Sequence, residues 1–250
     1  MALIESFRKQ GDFLFRFRSY MPLLLLISGL AFYIYMHYTN QYNFDIIYFW
    51  ICFGISFFGL FIRSITIGFT PKNTSGRNTK KQVADVVNTT AMYSIVRHPL
   101  YLGNFFMWLG LALLSASIWF VLVFVLVFWI YYERIMYAEE FFLREKFGMP
   151  YLEWANKVPS FIPRFSSWKS SELYFSFRKV VKRETLGLFK LVLCFFIFQL
   201  IHEYFINNFN LDSISQFGRI WLYIFIVMLI FYLIVRTLNK KTKFFVEEGR

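Results

Sequence analysis

Long apolar stretches separated by short polar connections dominate the sequence. Their bounds are 22–39, 46–69, 100–114, 117–137, 186–206 and 219–238. A helix needs about 20 apolar residues to cross the hydrocarbon core of a bilayer, and most of these stretches have a length of that order. The pattern therefore predicts an all-α, polytopic integral membrane protein with about six transmembrane helices.

The connections predict further local structure. Only residues 115–117 separate the third stretch from the fourth, which predicts a tight helical hairpin, and the fourth continues as a helical extension over 131–147. Residues 168–185 place Leu173, Phe177 and Val181 at helical spacing beside basic side chains, which predicts a helix in the membrane interface. The polar stretch 72–88 predicts turns followed by a weak helix.

Basic residues alternate between the two sides of the predicted bundle. Lys and Arg number four before residue 21, five in 70–99, nine in 138–184 and four in 239–250, whereas 40–45, 115–117 and 207–218 contain none. Because basic loops stay on the cytoplasmic side, both termini and the two long loops are predicted to be cytoplasmic.

Frequent Phe, Ile, Lys and Asn suggest an AT-rich genome and favour a bacterial inner membrane.

Composition supports the membrane class and narrows the partners. The 250 residues are 58% hydrophobic and 17% charged, with a formal net charge of +12. In a membrane protein this charge sets orientation, so we expect a membrane and a lipid substrate as partners and no nucleic acid. Cys52 and Cys194 lie in apolar stretches, and the three histidines are widely separated, so no metal is expected either. The oligomeric state is left open.

The chain is predicted to have three segments. Residues 1–69 form an N-terminal interfacial segment with two transmembrane helices, 70–165 form a core around the helical hairpin, and 166–250 form the interfacial helix with a C-terminal transmembrane hairpin. Soluble nucleotide-binding fingerprints are absent from the sequence. A cofactor would have to be held by helices and loops at the cytoplasmic surface of the membrane.

The first cluster of candidate functional residues precedes the third stretch. It contains Arg97-His98-Pro99-Leu100-Tyr101-Leu102-Gly103. Pro99 suits the first turn of a helix, and Gly103 one turn later allows close backbone approach. Arg97 could equally be a snorkelling side chain and His98 a simple cap. Alone, this cluster favours a structural role over a ligand site.

The second cluster follows the hairpin. It begins at Glu139-Glu140 and continues through Phe147-Gly148, Tyr151, Trp154, Val158-Pro159 and Pro163-Arg164. Paired carboxylates could hold a cationic group, but Glu140 and Arg144 also have the i,i+4 spacing of an ordinary helix pair. Arg63 and Arg134, near the ends of spans, could snorkel, although ionisable groups at membrane depth are functional candidates.

Together the two clusters resemble the isoprenylcysteine carboxyl methyltransferase and phospholipid methyltransferase superfamily. The order RHPxYxG, hairpin, EE, FGxxYxxW and VPxxxPR carries the resemblance, which covers about 72–165. It implies methyl transfer from S-adenosylmethionine to a lipid or lipidated acceptor at the cytoplasmic face. Family members usually have Gly two residues before the tyrosine, where this chain has Ala91.

The resemblance also assigns roles to residues. It implies that the cofactor pocket is lined by Val87, Asn88, Tyr93, His98, Pro99, Leu100, Tyr101 and Glu139. Arg134 is the nearest counterpart of the family's substrate-orienting arginine, and Glu140 and His98 are the candidate bases for an amine acceptor. Arg77, Arg97 and Arg164 are expected to contact an anionic acceptor, because guanidinium groups bind phosphate and carboxylate through two hydrogen bonds.

Several alternatives remain open at this point. The favoured acceptor is an anionic lipid headgroup such as a lipid A-type phosphate, because it needs no base. A phospholipid amine and an isoprenylcysteine carboxylate are alternatives. An NADPH-dependent sterol-type reductase shares the Arg-x-Pro-x-Tyr-x-Gly helix start but commonly has an acidic residue after the glycine, where this chain has Asn104. A non-catalytic lipid-binding protein is the remaining alternative.

Overall fold

The computed structural model describes residues 3–18, 20–71, 74, 82–207 and 214–246. Within these residues the chain is helical and contains no strands. The helices are α1 (Leu3–Arg16), α2 (Met21–Tyr38), α3 (Ile46–Gly68), α4 (Met92–Ile95), α5 (Pro99–Leu113), α6 (Ile118–Phe147), α7 (Met149–Ala155), α8 (Phe177–Asn207) and α9 (Gln216–Lys241), with a short 3-10 turn at Phe165–Ser167.

Six of the helices coincide with the predicted apolar stretches. Among the described residues, α3, α6, α8 and α9 are long and apolar enough to cross a membrane, whereas α2 and α5 are apolar but shorter. The all-helical membrane class is therefore confirmed, and the count of six crossings stays a prediction. The hairpin of α5 and α6 forms as predicted, with Ser117 accepting a hydrogen bond from Phe120 N–H at the start of α6 (3.4 Å).

The predicted interfacial helix over 168–185 is wrong in its bounds. Residues before Phe177 are irregular, and α8 runs without interruption from there into the fifth apolar stretch. Tertiary contacts set this boundary, because Ser176 N–H donates to Gly68 O (3.0 Å) and its hydroxyl accepts from Lys179 N–H (3.1 Å). The helical spacing of Leu173 relative to Phe177 and Val181 therefore does not correspond to a helical turn at Leu173.

The weak helix predicted before residue 88 is absent from the described part of that stretch. Residues 82–89 are irregular, and the Lys146 ammonium donates to the Ala84 carbonyl, which holds this loop against the end of α6. Further along the loop, Val87 and Asn88 are partly buried and belong to the lining of a cavity.

Helices α3 and α5 form the closest pair in the core. A Cβ atom on Gly59 would overlap the Gly103 carbonyl oxygen, and one on Gly110 would overlap Ser56. Small residues at these crossings let the two backbones approach, as is common between membrane helices. Helix α1 packs along α6, where Gly11 makes the corresponding close contact with the backbone of Arg134.

Candidate functional site

The two sequence clusters lie side by side at the end of the bundle where α5 begins. Three backbone hydrogen bonds join them, from Arg97 N–H to Pro159 O (2.9 Å), His98 N–H to Ser160 O (3.2 Å) and Arg164 N–H to Ile95 O (2.9 Å). The Trp154 indole also donates to Tyr93 O (3.2 Å). The second cluster therefore fixes the backbone of the first, and their joint occurrence has a structural cause.

Ala91 has a backbone conformation that normally requires glycine. Its φ is 49° and its ψ is −129°, and its N–H donates to Lys169 O (2.8 Å). A Cβ atom is strained in this region, which costs of the order of 1–3 kcal/mol. The structure thus explains why glycine is usual at this position, and the loop keeps the glycine-type geometry although the residue differs.

The two adjacent glutamates of α6 have different main partners, although both lie near His98, whose Nδ1 is 3.7 Å from Glu139 Oε2. Glu139 accepts a hydrogen bond from the Tyr101 hydroxyl (2.6 Å), and Arg18 lies 3.8 Å from the same oxygen. Glu140 is bonded to His98 Nε2 (2.8 Å) and ion-paired with Arg97 (3.1 Å). Successive helical positions point about 100° apart, so the pair divides its work between two sides of α6.

A cavity of about 700 Å³ opens beside these residues. Its polar end is bounded by the loop, by α4 and the start of α5, and by the end of α6. The lining side chains there include Val87, Asn88, Tyr93, Arg97, His98, Pro99, Leu100, Tyr101, Glu139, Tyr151 and Trp154. Aromatic groups and one carboxylate in a partly closed pocket suit an organic cation.

The same cavity continues between the apolar helices. This second part is lined by side chains of α2, α5 and α8, among them Leu23, Leu26, Met107, Trp108, Leu111, Leu191, Cys194 and Ile197. From Pro99 to Leu111 the lining follows α5 for twelve residues, which corresponds to about 18 Å along the helix. The cavity is therefore amphiphilic, with a polar end and a long apolar slot.

Burial changes the ionisation of two phenols at the polar end. Burial, and next the nearby Glu139 carboxylate, raise the pKa of Tyr93, while a hydrogen bond with Asn88 opposes the change. Burial followed by the charge of Glu140 likewise raises the pKa of Tyr151. Both hydroxyls stay neutral at physiological pH and can donate hydrogen bonds to a ligand.

An ion pair lies at the boundary between the two parts of the cavity. The sequence analysis named one of its two members, Arg63, but not the other, Glu184. Arg63 donates from Nε and Nη2 to the two carboxylate oxygens of Glu184 (2.9 and 2.8 Å) and from Nη1 to Asn104 Oδ1 (2.7 Å). Arg63 was recognisable as an arginine at membrane depth. Its partner Glu184 was not, because no local pattern sets it apart from the interfacial charges of that region.

Most of the predicted site residues meet at the cavity. The eight residues assigned to the cofactor pocket and Arg97 all belong to its lining. Glu140 stands outside the lining and supports His98. Arg134 is turned toward α1, where it stacks 3.7 Å from the Phe7 ring centre and donates to Gln10 (3.3 Å). Arg164 is exposed and not part of the lining, and Arg77 lies outside the described residues.

Fold and cavity together define an apolar, all-helical membrane protein that can enclose a polar ligand and an apolar chain in one space. Comparison with protein families gives the class a name: residues 24–149 match the phospholipid methyltransferase family model. This match covers half of the chain, and the chain belongs to that family of integral membrane methyltransferases. The matched region includes both motif clusters up to Gly148 but ends before α8.

Curated relatives are similar over a shorter region. Protein-S-isoprenylcysteine O-methyltransferase of Saccharomyces cerevisiae is 38% identical over 85 residues, which are 34% of this chain and 36% of the relative. The nickel-cobalt-cadmium resistance protein NccN of Alcaligenes xylosoxydans xylosoxydans is 33% identical over 100 residues, or 40% and 44% of the two chains. The chain thus spans about two fifths of the length of these relatives. No solved structure matches.

Proposed function

We propose that the protein transfers a methyl group from S-adenosylmethionine to a membrane lipid or lipid-linked acceptor at the cytoplasmic membrane surface. The observation that carries this proposal is the single cavity that joins a polar end, built by the two family motifs, to an apolar slot between α2, α5 and α8. Such a space accommodates a water-soluble cofactor and a lipid tail side by side.

The residues at the polar end fit the proposed cofactor. When bound, S-adenosylmethionine supplies a methyl group activated by a sulfonium cation. Glu139 places a carboxylate at the cavity, with Tyr93 and Tyr101 adding aromatic surface, and these groups favour a cation. Asn88 and Tyr151 offer hydrogen bonds to its polar groups. The hydrogen bond from Tyr101 to Glu139 fixes the carboxylate in place before any ligand binds.

The chain's own contribution to the reaction is positioning and exclusion of water. The wall formed by α1, α5 and α6 brings apolar side chains such as Phe15 and Leu143 against the polar end, which keeps the reacting groups dry. Holding donor and acceptor in line lowers the barrier without a covalent intermediate.

The acceptor class follows from the shortage of a base. Of the two candidates, Glu140 is engaged by His98 and Arg97 and does not belong to the cavity lining, whereas His98 lines the cavity but is hydrogen-bonded to Glu140 and is assigned to the cofactor. An acceptor that is already anionic needs no deprotonation. We therefore favour an anionic oxygen, with a lipid A-type phosphate as the first candidate and a carboxylate, as the names of the isoprenylcysteine relatives suggest, as the second. A phospholipid amine comes third.

Binding measurements on the detergent-purified full chain test the cofactor. Calorimetry with S-adenosylmethionine and, separately, NADPH is expected to show binding of the first alone, because Glu139 and the aromatic side chains at the polar end favour a sulfonium cation. Tyr93→Ala is expected to weaken binding at least tenfold, whereas Tyr223→Ala, a 64% exposed tyrosine of α9, serves as the matched control with wild-type affinity. Binding of NADPH instead would favour the reductase, and binding of neither would favour a non-catalytic lipid-binding protein.

A further inference from the structure

Helix α8 lines the cavity with a face whose chemistry changes along its length. Its lining residues are Arg183, Glu184, Gly187 and Lys190, followed by Leu191, Leu193, Cys194 and Ile197. Positions 184, 187, 191, 194 and 197 recur at intervals of three or four residues, and the others are their direct neighbours, so they form one face of the helix. This face lies outside the part of the chain that matches the family model. Its side chains are therefore features of this chain rather than of the family motifs.

Arg63 of α3 lies at the boundary between the polar end of the cavity and the slot, where Glu184 of α8 also lies. The guanidinium is held in one orientation by Glu184 and Asn104, and these partners use three of its five N–H donors. A Cβ atom built on Gly103 would meet the Arg63 side chain, which places Arg63 one turn further along α5 than the Pro99 start. The Arg63 guanidinium therefore has two further N–H donors for a ligand at the boundary between the polar end and the slot.

Lys190 of α8 also belongs to the cavity lining, about two turns after Glu184. Its side chain is exposed, and no hydrogen bond or ion pair joins it to the residues that the structure describes. Side chains on a helix tilt toward its N-terminus, so Lys190 is directed over the turn that contains Gly187. Gly187 has no side chain of its own there, and a Cβ on it would already lie 3.4 Å from Glu184 Oε2.

Cationic side chains outnumber carboxylates in this part of the lining. Glu184 pairs with Arg63, and Arg183 and Lys190 of α8 add two further cationic groups. An anionic headgroup at the boundary of polar end and slot would therefore meet groups of opposite charge. We propose that Arg63, Gly187 and Lys190 form a binding site for the anionic headgroup oxygens of an amphiphile whose chain occupies the slot. Resting on the proposed function, this amphiphile is the methyl acceptor.

The proposal moves acceptor binding away from Arg134 and Arg164. Those two side chains lie outside the cavity lining, whereas Arg63 and Lys190 face the space between the polar end and the slot. A headgroup held there would be next to Tyr101 and Asn104, at the inner edge of the polar end. A phosphate and a carboxylate share the required chemistry, and the choice between them is left to experiment.

Native mass spectrometry of the detergent-purified full chain, without S-adenosylmethionine, tests the site directly. The probes are phosphatidic acid, oleate and the uncharged dioleoylglycerol. The wild type is expected to bind at least one anionic probe about tenfold more tightly than dioleoylglycerol, because hydrogen bonds to a charged group are stronger than those to a neutral one. Tighter binding of phosphatidic acid would identify phosphate as the preferred headgroup, and tighter binding of oleate would identify carboxylate.

Variants of Lys190 make the result specific. Lys190→Gln is expected to abolish the preference for the anionic probe, Lys190→Arg to retain it, and Lys240→Gln at the end of α9 to behave as wild type. Equal binding of charged and uncharged probes, or an unchanged preference in Lys190→Gln, would overturn the site. Because no cofactor is present, a failure of the methyltransferase proposal leaves this measurement unaffected, and the two failures are distinguishable.

Discussion

Glu139 and Glu140, neighbouring residues of one helix, differ in their surroundings. Glu139 is part of the cavity lining, whereas Glu140 holds His98 and Arg97, the two residues that lead into α5. We therefore propose that Glu139 contacts the ligand and that Glu140 supports the start of α5. Sequence reasoning found the pair but had no means of telling which way each side chain points.

Neutralising each glutamate separately is expected to produce different defects. Glu139→Gln should weaken S-adenosylmethionine binding about tenfold, because a charge-assisted contact is lost, with a small change in melting temperature. Glu140→Gln should lower the melting temperature more, because Arg97 loses its ion-pair partner. Calorimetry and thermal unfolding in detergent measure both. The division of roles fails if Glu140→Gln has the larger effect on affinity and leaves the melting temperature unchanged.

Ala91→Gly is expected to stabilise the protein. Relief of the strained backbone at φ 49° gains of the order of 1–3 kcal/mol, and loss of one buried methyl group costs about 0.8 kcal/mol. The net gain of about 1 kcal/mol would appear as a higher melting temperature. Ala112→Gly, at another buried alanine but within α5, is the control and should be destabilising. A lower melting temperature for Ala91→Gly would show that the methyl group is favourable there.

At the level of elements, the crossing of α3 and α5 positions the polar end of the cavity. The backbone contact between Gly59 and Gly103 brings Arg63 across α5 to Asn104, which no looser packing would allow. Helix periodicity predicts both helices, but the crossing depends on which glycines face each other. Which glycines face each other is decided by tertiary packing, and the apolar pattern of the sequence does not predict it.

Two glycines of α3 offer a matched pair for testing this crossing. Gly59→Ala is expected to be strongly destabilising, because its Cβ would overlap the Gly103 carbonyl and lie 2.5 Å from Met107 N. Gly54→Ala meets nothing within 4 Å and should be neutral or slightly stabilising through its better helix propensity. Thermal unfolding of the two variants in the same detergent gives the comparison. Similar melting temperatures would contradict the close approach of α3 and α5.

The ion pair between Arg63 and Glu184 joins α8 to the family core. Their side chains are 18% and 5% exposed, and removing one partner of such a buried pair costs roughly 3–5 kcal/mol. Glu184→Gln is therefore expected to lower the melting temperature markedly. Glu145→Gln breaks the solvent-exposed pair with Arg8 and should have little effect. If both variants melt alike, α8 is held by its apolar contacts instead.

For the whole molecule, the sequence sufficed for class and family but not for the shape of the cavity. Apolar lengths predicted the helices, and the order of the motifs predicted the polar end with Tyr93, His98 and Glu139. The slot could not be predicted, because it requires α8 to lie beside α5 although 63 residues, 114–176, separate the two helices. The mistaken helix over 168–176 has the same origin, since the contacts of Ser176 override local spacing.

The cavity also relates the three segments of the chain to one another. Phe15 and Arg18 reach it from the N-terminal segment, the family motifs form its polar end, and α8 closes the slot. Each segment therefore contributes to the cavity lining, and the C-terminal segment does so through α8. The orientation of this space toward the cytoplasm rests on the distribution of basic residues and stays a prediction.

The central claim is methyl transfer to a lipid, and isotope tracing measures it most directly. Purified protein is incubated with S-adenosylmethionine carrying a deuterated methyl group and with a total membrane lipid extract, and the lipids are analysed by mass spectrometry. We expect a lipid species that has gained the labelled methyl group on an anionic oxygen with wild type and with Tyr223→Ala, and far less of it with Tyr93→Ala. A label on an amine would refute the acceptor class, and no labelled lipid from a protein that binds S-adenosylmethionine would contradict lipid methylation itself.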